Sequence, residues 1–146
     1  MQLLGLKEVG SQSQQSTQQD NMTIRLLNKK TELEIVNGWL PYVVTHDQLP
    51  GHTFCAVVKN KVVAMAALRL MEGDVCFIDS MATDPKVEGK IRHEALDKLT
   101  DTILELGKNL GFKRIFATTK EECIVERAKR HGFKLSKEQV IVRDLT

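Results

Sequence analysis

The sequence predicts an α+β domain built on one mixed, mostly antiparallel sheet of about six to seven strands, with helices on both faces. Three observations carry this. Strand-like and helix-like stretches follow one another in the order β-α-βββ-α-β-α-ββ. A short apolar run, Val75–Ile78, leads through Asp84-Pro85 into the longest amphipathic stretch of the chain. There Ile91, Ala95, Leu99, Ile103, Leu106 and Leu110 recur every three or four residues and make one apolar stripe.

Residues 1–21 stand apart from the domain proper, 22–146. Gln and Ser dominate them, a polar low-complexity arm that buries too little to offset its own ordering. Its tip is apolar, with Leu3, Leu4 and Leu6, and reads either as a docking segment for a protein partner or as a plain flexible extension. Met22–Leu27 reads as a first strand. Thr31 and Glu34 have capping-box spacing and open a short helix with Leu33, Val36 and Leu40 inward and Trp39 packed beside them. Pro41, Pro50 and Gly51 bracket an irregular segment holding Tyr42, His46, Asp47 and His52.

Phe54–Lys59 and Val62–Met71 are β-rich and joined at Asn60-Lys61, which makes a hairpin. Glu72-Gly73-Asp74 turns the chain into Val75–Ile78, which has the apolar character of a central strand. Asn109 and Gly111 end the long helix. Arg114–Thr118 reads as a strand, and Thr119 and Glu122 as a second capping box. The helix it opens turns Ile124, Val125 and Ala128 inward and stops at Gly132-Phe133. Phe133–Leu135 and Gln139–Val142 read as closing strands.

Composition excludes several functions. A formal net charge of +2, with acidic and basic residues interleaved, leaves no stripe for nucleic acid. No run approaches the roughly 18 apolar residues of a membrane span. Met1–Leu6 lacks the basic region of a signal peptide, so the expected location is cytoplasmic. Cys55, Cys76 and Cys123 are widely spaced and read as free thiols; no Cys or His spacing resembles a metal site.

Four short motifs, in this order along the chain, resemble the GNAT family of N-acetyltransferases over roughly Met22–Leu145: Asp84-Pro85, Gly89-Lys90, Ala95-Leu96, and Ala128-Lys129-Arg130-His131-Gly132-Phe133. The resemblance implies a GNAT-like fold and an acetyl-CoA site beside the Val75–Ile78 strand. It implies that pantetheine meets backbone near Met81, Ala82 and Thr83. It also implies that the pyrophosphate rests on the loop from Val87 to His93, with Gly89, Lys90 and Arg92 in contact. The amine acceptor would lie near His46–His52.

Five positions depart from the family pattern. Glu88 puts a negative charge where phosphate is expected; at about 4 Å such repulsion runs from roughly 1 kcal/mol in water to about 4 at a partly buried site. Ile91 and His93 replace the small residues of the phosphate loop. Glu121 stands where an Asn is common, and Ala128 where many members carry a Tyr acid.

Asp79, a carboxylate in an apolar strand, is either a general base or a hydrogen-bonded structural residue. His93 at the helix start suits a phosphate contact or an acid role, or is a solvated surface residue. Tyr42 offers a substitute acid. Two functions follow. One is acyl-CoA-dependent N-acyl transfer to an amine with an altered phosphate loop. The other is a non-catalytic assembly protein, for example a virion component of a phage, that docks through its N-terminal arm. A CoA-binding sensor without turnover lies between them.

Overall fold

The computed structural model describes residues 21–146. The arm and its Leu3, Leu4 and Leu6 tip lie outside the described residues. The elements are β1 (Met22–Leu26), α1 (Lys29–Asn37), β2 (His52–Val58), β3 (Lys61–Leu70), β4 (Val75–Thr83), α2 (Gly89–Asn109), β5 (Arg114–Ala117) and α3 (Glu122–Arg130). The chain divides into two compact units between Phe116 and Ala117.

The first unit holds the sheet. Its five strands lie in sequence order, β1-β2-β3-β4-β5. The first four pair antiparallel, and α2 is the crossover that brings in β5. The turn between β2 and β3 is Lys59-Asn60, one residue earlier than the sequence suggests. Both residues have positive φ, 50° and 62°. That pair of left-handed residues twists the chain as a two-residue hairpin requires.

The centre of the sheet is β3, not the Val75–Ile78 run. All of Val62–Leu68 is buried, whereas β4 buries only Cys76 and Ser80. The sequence hides this because β3 is filled with Ala64, Ala66 and Ala67. Alanine adds little to an apolar score, yet it lets a helix approach each face closely. Ala64, Ala66 and Leu68 join Ala95, Leu99 and Ile103 of α2 in one cluster. Met65 and Ala67 join Val36 of α1 in the other. Alternate residues of one strand therefore serve opposite layers, and α1 and α2 cover opposite faces.

The cap of α1 is Asn28, three residues before Thr31. Its side chain accepts from the Lys30 N–H at 3.1 Å, and its own N–H donates to Glu32 Oε1 at 2.8 Å. Arg25 forks onto the same Glu32 carboxylate at 2.8 and 2.7 Å. That contact holds the Glu32 carboxyl below the usual range and ties β1 to α1. α2 runs 21 residues and stops where the sequence places the stop. Gly111 takes φ +88°, and the Phe112 N–H returns to the Gly107 carbonyl at 3.0 Å. Leu110 is outside the apolar stripe and half exposed.

In the second unit, α3 is capped at Glu121. Thr119 Oγ1 accepts from the Glu121 N–H at 3.1 Å and closes a turn ahead of the helix rather than a capping box. Ile124 is exposed and Arg127 is buried on this helix. Gly132 ends it with φ +88°. The two closing strands, 133–135 and 139–142, do not form, so the sheet has five strands rather than six or seven. Val140, Ile141 and Val142 are 68, 93 and 83 % exposed. β-branched residues raise strand propensity, but a strand exists only where a neighbour completes its hydrogen bonds.

Leu99 is fully buried between α2 and β3. Leu99→Ala should lower the unfolding free energy by about 2–5 kcal/mol, read from the midpoint of urea denaturation.

Candidate active site

One irregularity shapes the site. Ala67 of β3 faces Ser80, while the next residue, Leu68, faces Ile78. Asp79 is therefore an extra residue in β4, a β-bulge. In a regular strand neighbours point to opposite faces. Here Ile78 and Met81 both pack on the α2 side, and the bulge sends Asp79 and Ser80 together to the α1 side.

There the two line an open cavity of about 470 Å³ with Tyr42, Val44, Gln48 and Arg69. The Asp79 carboxylate is ion-paired. Arg69 Nε donates to Oδ1 at 3.3 Å and Arg69 Nη2 to Oδ2 at 3.2 Å. Ser80 Oγ lies 3.4 Å from Asp79 Oδ2 and 3.2 Å from the Tyr42 hydroxyl. Arg69 and Ser80 carry no sequence motif. The register slip that aligns them depends on pairing with β3 and is invisible along β4 alone.

Beyond the bulge, Met81, Ala82 and Thr83 continue β4, paired on one edge with Ala66, Met65 and Ala64. β5 is four residues long against nine in β4. Cys76 meets the Arg114 carbonyl, and the Phe77 and Phe116 rings lie 4.9 Å apart, so β5 accompanies the first half of β4. The second half keeps its outer edge beyond the end of β5.

The chain then turns at Asp84. Its N–H donates to the Val63 carbonyl, and its carboxylate accepts from the Lys86 N–H at 2.9 Å and pairs with Lys61 Nζ at 3.2 Å. The Lys86 N–H first, and Lys61 second, hold this buried carboxyl below the usual range. The turn aims the chain into α2, which starts at Gly89 with Glu88 as a cap that makes no side-chain bond. The first N–H groups of a helix have no partner within it. Arg92 sits in this first turn, and its buried Nε has no hydrogen-bond partner. Lys90 is exposed beside it, and Val87 packs against the α2-side cluster.

An uncapped helix start with an unsatisfied guanidinium donor and the nearby Lys86 and Lys90 fits an anion such as a pyrophosphate. Glu88, exposed at the cap, opposes it. Ile91 packs against the α2-side core, so its bulk is turned to the interior. His93 is exposed on the first turn of α2 and is not among the residues lining the Asp79 cavity. The structure does not bring the two candidate catalytic residues together. Among the described residues, no cluster of three or more His, Cys, Asp or Glu is placed to hold a metal ion, and no helix is long and apolar enough to cross a membrane.

A bulged fourth strand followed by a turn and a bare helix start is accompanied by a family match. The model of the acetyltransferase (GNAT) family matches residues 21–133. The chain belongs to the GNAT acetyltransferase family. No curated protein sequence matches the chain. Among solved structures, this GNAT protein is similar to a protein from Thermus thermophilus, with TM-score 0.66 and 19 % identity over 85 % of this chain and 98 % of that one. It is similar to an aminoglycoside acetyltransferase from an uncultured soil metagenomic sample, solved with sisomicin (TM-score 0.63, 18 % identity, 88 % and 97 % coverage). A Mycobacterium tuberculosis protein solved with CoA also resembles it (TM-score 0.65, 22 % identity, 82 % and 76 % coverage). At these identities the likeness is one of fold.

Two thiols of this GNAT chain lie in the first unit, outside the cavity lining. Cys55 is buried, and burial pushes its thiol up to about 11; burial also raises that of Cys76. Neither is primed as a nucleophile. Cys123 is exposed on α3.

The lowered carboxyl of Asp84 makes the turn pH-sensitive. A depressed folded value means that its stabilisation is complete above the ordinary Asp range, about pH 4, and is lost as pH falls through the folded value. Asp84→Asn should be less stable than wild type at pH 7. The gap should close progressively below about pH 4 in thermal melts taken across pH.

Proposed function

We propose that this GNAT protein is an acyl-CoA-dependent N-acyltransferase that uses an altered phosphate site. The observation that carries the reading is the bulge, because it turns a carboxylate and a hydroxyl into one cavity next to the part of β4 that runs past β5. In this reading the backbone of Met81, Ala82 and Thr83 lies along the pantetheine arm. The N–H groups of Glu88, Gly89 and Lys90, with the Arg92 and Lys90 side chains, hold the pyrophosphate. CoA supplies the activated thioester, and the chain supplies position and proton transfer.

The reaction needs little covalent help. The neutral amine nitrogen attacks the thioester carbonyl carbon, the new C–N bond forms, and the C–S bond breaks. The proton lost by the amine passes to Asp79 Oδ1. The sulfur leaves as thiolate and takes a proton from the Tyr42 hydroxyl, which Ser80 holds at 3.2 Å. Tyr42 thus fills the role for which Ala128 has no hydroxyl. His93, on α2, stands with the phosphate groups rather than with Asp79.

A second reading rests on the departures at Glu88, Ile91, His93, Glu121 and Ala128. In it the fold is kept without catalysis, and the protein acts in an assembly, such as a phage virion, through Leu3, Leu4 and Leu6. Glu88 at the cap of α2 is the observation in its favour.

Calorimetry with acetyl-CoA separates the two. The enzyme reading expects micromolar binding that weakens as salt rises. Arg92→Met should weaken it by about tenfold or more, the loss of a charged hydrogen bond. Asp79→Asn should keep that affinity and lower kcat. No binding at millimolar acetyl-CoA sinks the enzyme reading and leaves the assembly one.

A further inference from the structure

Arg69 makes three hydrogen bonds, and their pattern leaves a specific vacancy. Its Nε and Nη2 take the two oxygens of Asp79, and Nη2 also donates to the Gln48 carbonyl at 3.0 Å. A guanidinium has five N–H donors. These contacts engage Nε and both hydrogens of Nη2, so both hydrogens of Nη1 are left without a partner among the described residues. The side chain is 45 % exposed at the cavity. Three bonds from two different segments fix the plane of the group, so little freedom is lost when a ligand docks on the remaining nitrogen.

Asp79 has the opposite vacancy. An ionised carboxylate has about four acceptor sites. Arg69 takes one on each oxygen, and Ser80 lies 3.4 Å from Oδ2. One site on Oδ1 remains. The fixed guanidinium skeleton keeps Nη1 within about 6 Å of that oxygen. The cavity therefore presents a positive donor and a negative acceptor side by side, each with capacity left.

We propose that the acceptor is a small zwitterion with a carboxylate next to its primary amine, an amino-acid-like molecule. Its carboxylate accepts an N–H from Arg69 Nη1, and its amino group donates to Asp79 Oδ1. This rests on the acyltransferase reading and names its acceptor class. The ammonium first gives one proton to solvent. The neutral α-nitrogen then attacks the thioester carbonyl carbon, and the amide C–N bond forms as the C–S bond breaks. The second nitrogen proton passes to Asp79, and the thiolate takes a proton from the Tyr42 hydroxyl.

Three observations set this acceptor apart from a polyamine or another multiply charged amine. Arg69 repels a second ammonium placed beside the one on Asp79. Among the described residues only one further carboxylate, Asp47, borders the cavity, and it is 99 % exposed. The rest of the wall includes Tyr42, Val43 and Val44, which suits an apolar or aromatic side chain.

The test compares matched pairs, each an amino acid and the amine left when its carboxylate is removed: L-phenylalanine with phenethylamine, and L-leucine with isopentylamine. CoA thiol release by the full chain is followed with acetyl-CoA, and acetyl-CoA affinity is measured separately by calorimetry. The expected result is a KM about tenfold or more lower for each amino acid than for its amine, the worth of a charge-assisted contact. Arg69→Met should abolish that preference and leave acetyl-CoA affinity unchanged. Equal KM values, or preference for the amine, with intact acetyl-CoA binding overturn the zwitterion and leave the acyltransferase. Absence of acetyl-CoA binding overturns both. If Arg69→Met does not fold, saturation-transfer NMR on the wild-type chain replaces it. L-phenylalanine should then bind where phenethylamine and N-acetyl-phenylalanine do not; equal binding of all three, or none by L-phenylalanine, overturns the proposal.

Discussion

A β-strand sends successive side chains to opposite faces, and this alternation is the constraint on which the first unit depends. β3 obeys it through its buried centre: Met65 and Ala67 serve α1, while Ala64, Ala66 and Leu68 serve α2. Where β4 breaks the rule by one residue, at Asp79, two polar side chains come to the same side. A second break near the hairpin has the same form. Val57 pairs with Val62 and Ala56 with Ala64, so Val63 is extra and joins Ala64 on the α2 side. Val63 also offers its carbonyl to the N–H of Asp84. The two irregularities thus flank the segment of β4 that leads to the bare end of α2.

Charge in this region is arranged as local pairs. Arg69 answers Asp79, Lys61 answers Asp84, and Arg25 answers Glu32. Each pair ties elements that are separate in the chain, which gives it a positioning role beyond its modest electrostatic worth. Arg92 is the exception, since its Nε is buried without a partner. A buried donor left unmade is costly, and such a cost persists where a ligand relieves it.

Features set by near neighbours were legible in the sequence. The long helix, its Gly111 stop, the Asp84-Pro85 turn and the Lys59-Asn60 region of the hairpin all depend on residues a few places apart. The family followed from motifs of the same kind. Features set by distant partners were not legible. The Asp79 bulge exists only relative to β3, and the Tyr42–Ser80 contact joins residues 38 apart. Asn28 outcompeted Thr31 as the cap because Glu32, already held by Arg25, could accept from its N–H. The alanines of β3 concealed the middle of the sheet, since burial there comes from neighbours on both sides rather than from large side chains. The closing strands were read from propensity that finds no pairing partner.

The exposed Val140-Ile141-Val142 run bears on how the protein behaves in concentrated solution. A bare β-branched segment is a template for pairing between molecules. Lys137 and Glu138 stand before it, and Arg143 and Asp144 follow it. These flanks sum to zero charge, so they do not hold copies apart by long-range repulsion. The cost of stripping water from four ionised groups at close approach opposes such pairing. That barrier is short-ranged and depends little on salt, so colloidal stability should track protein concentration more closely than ionic strength.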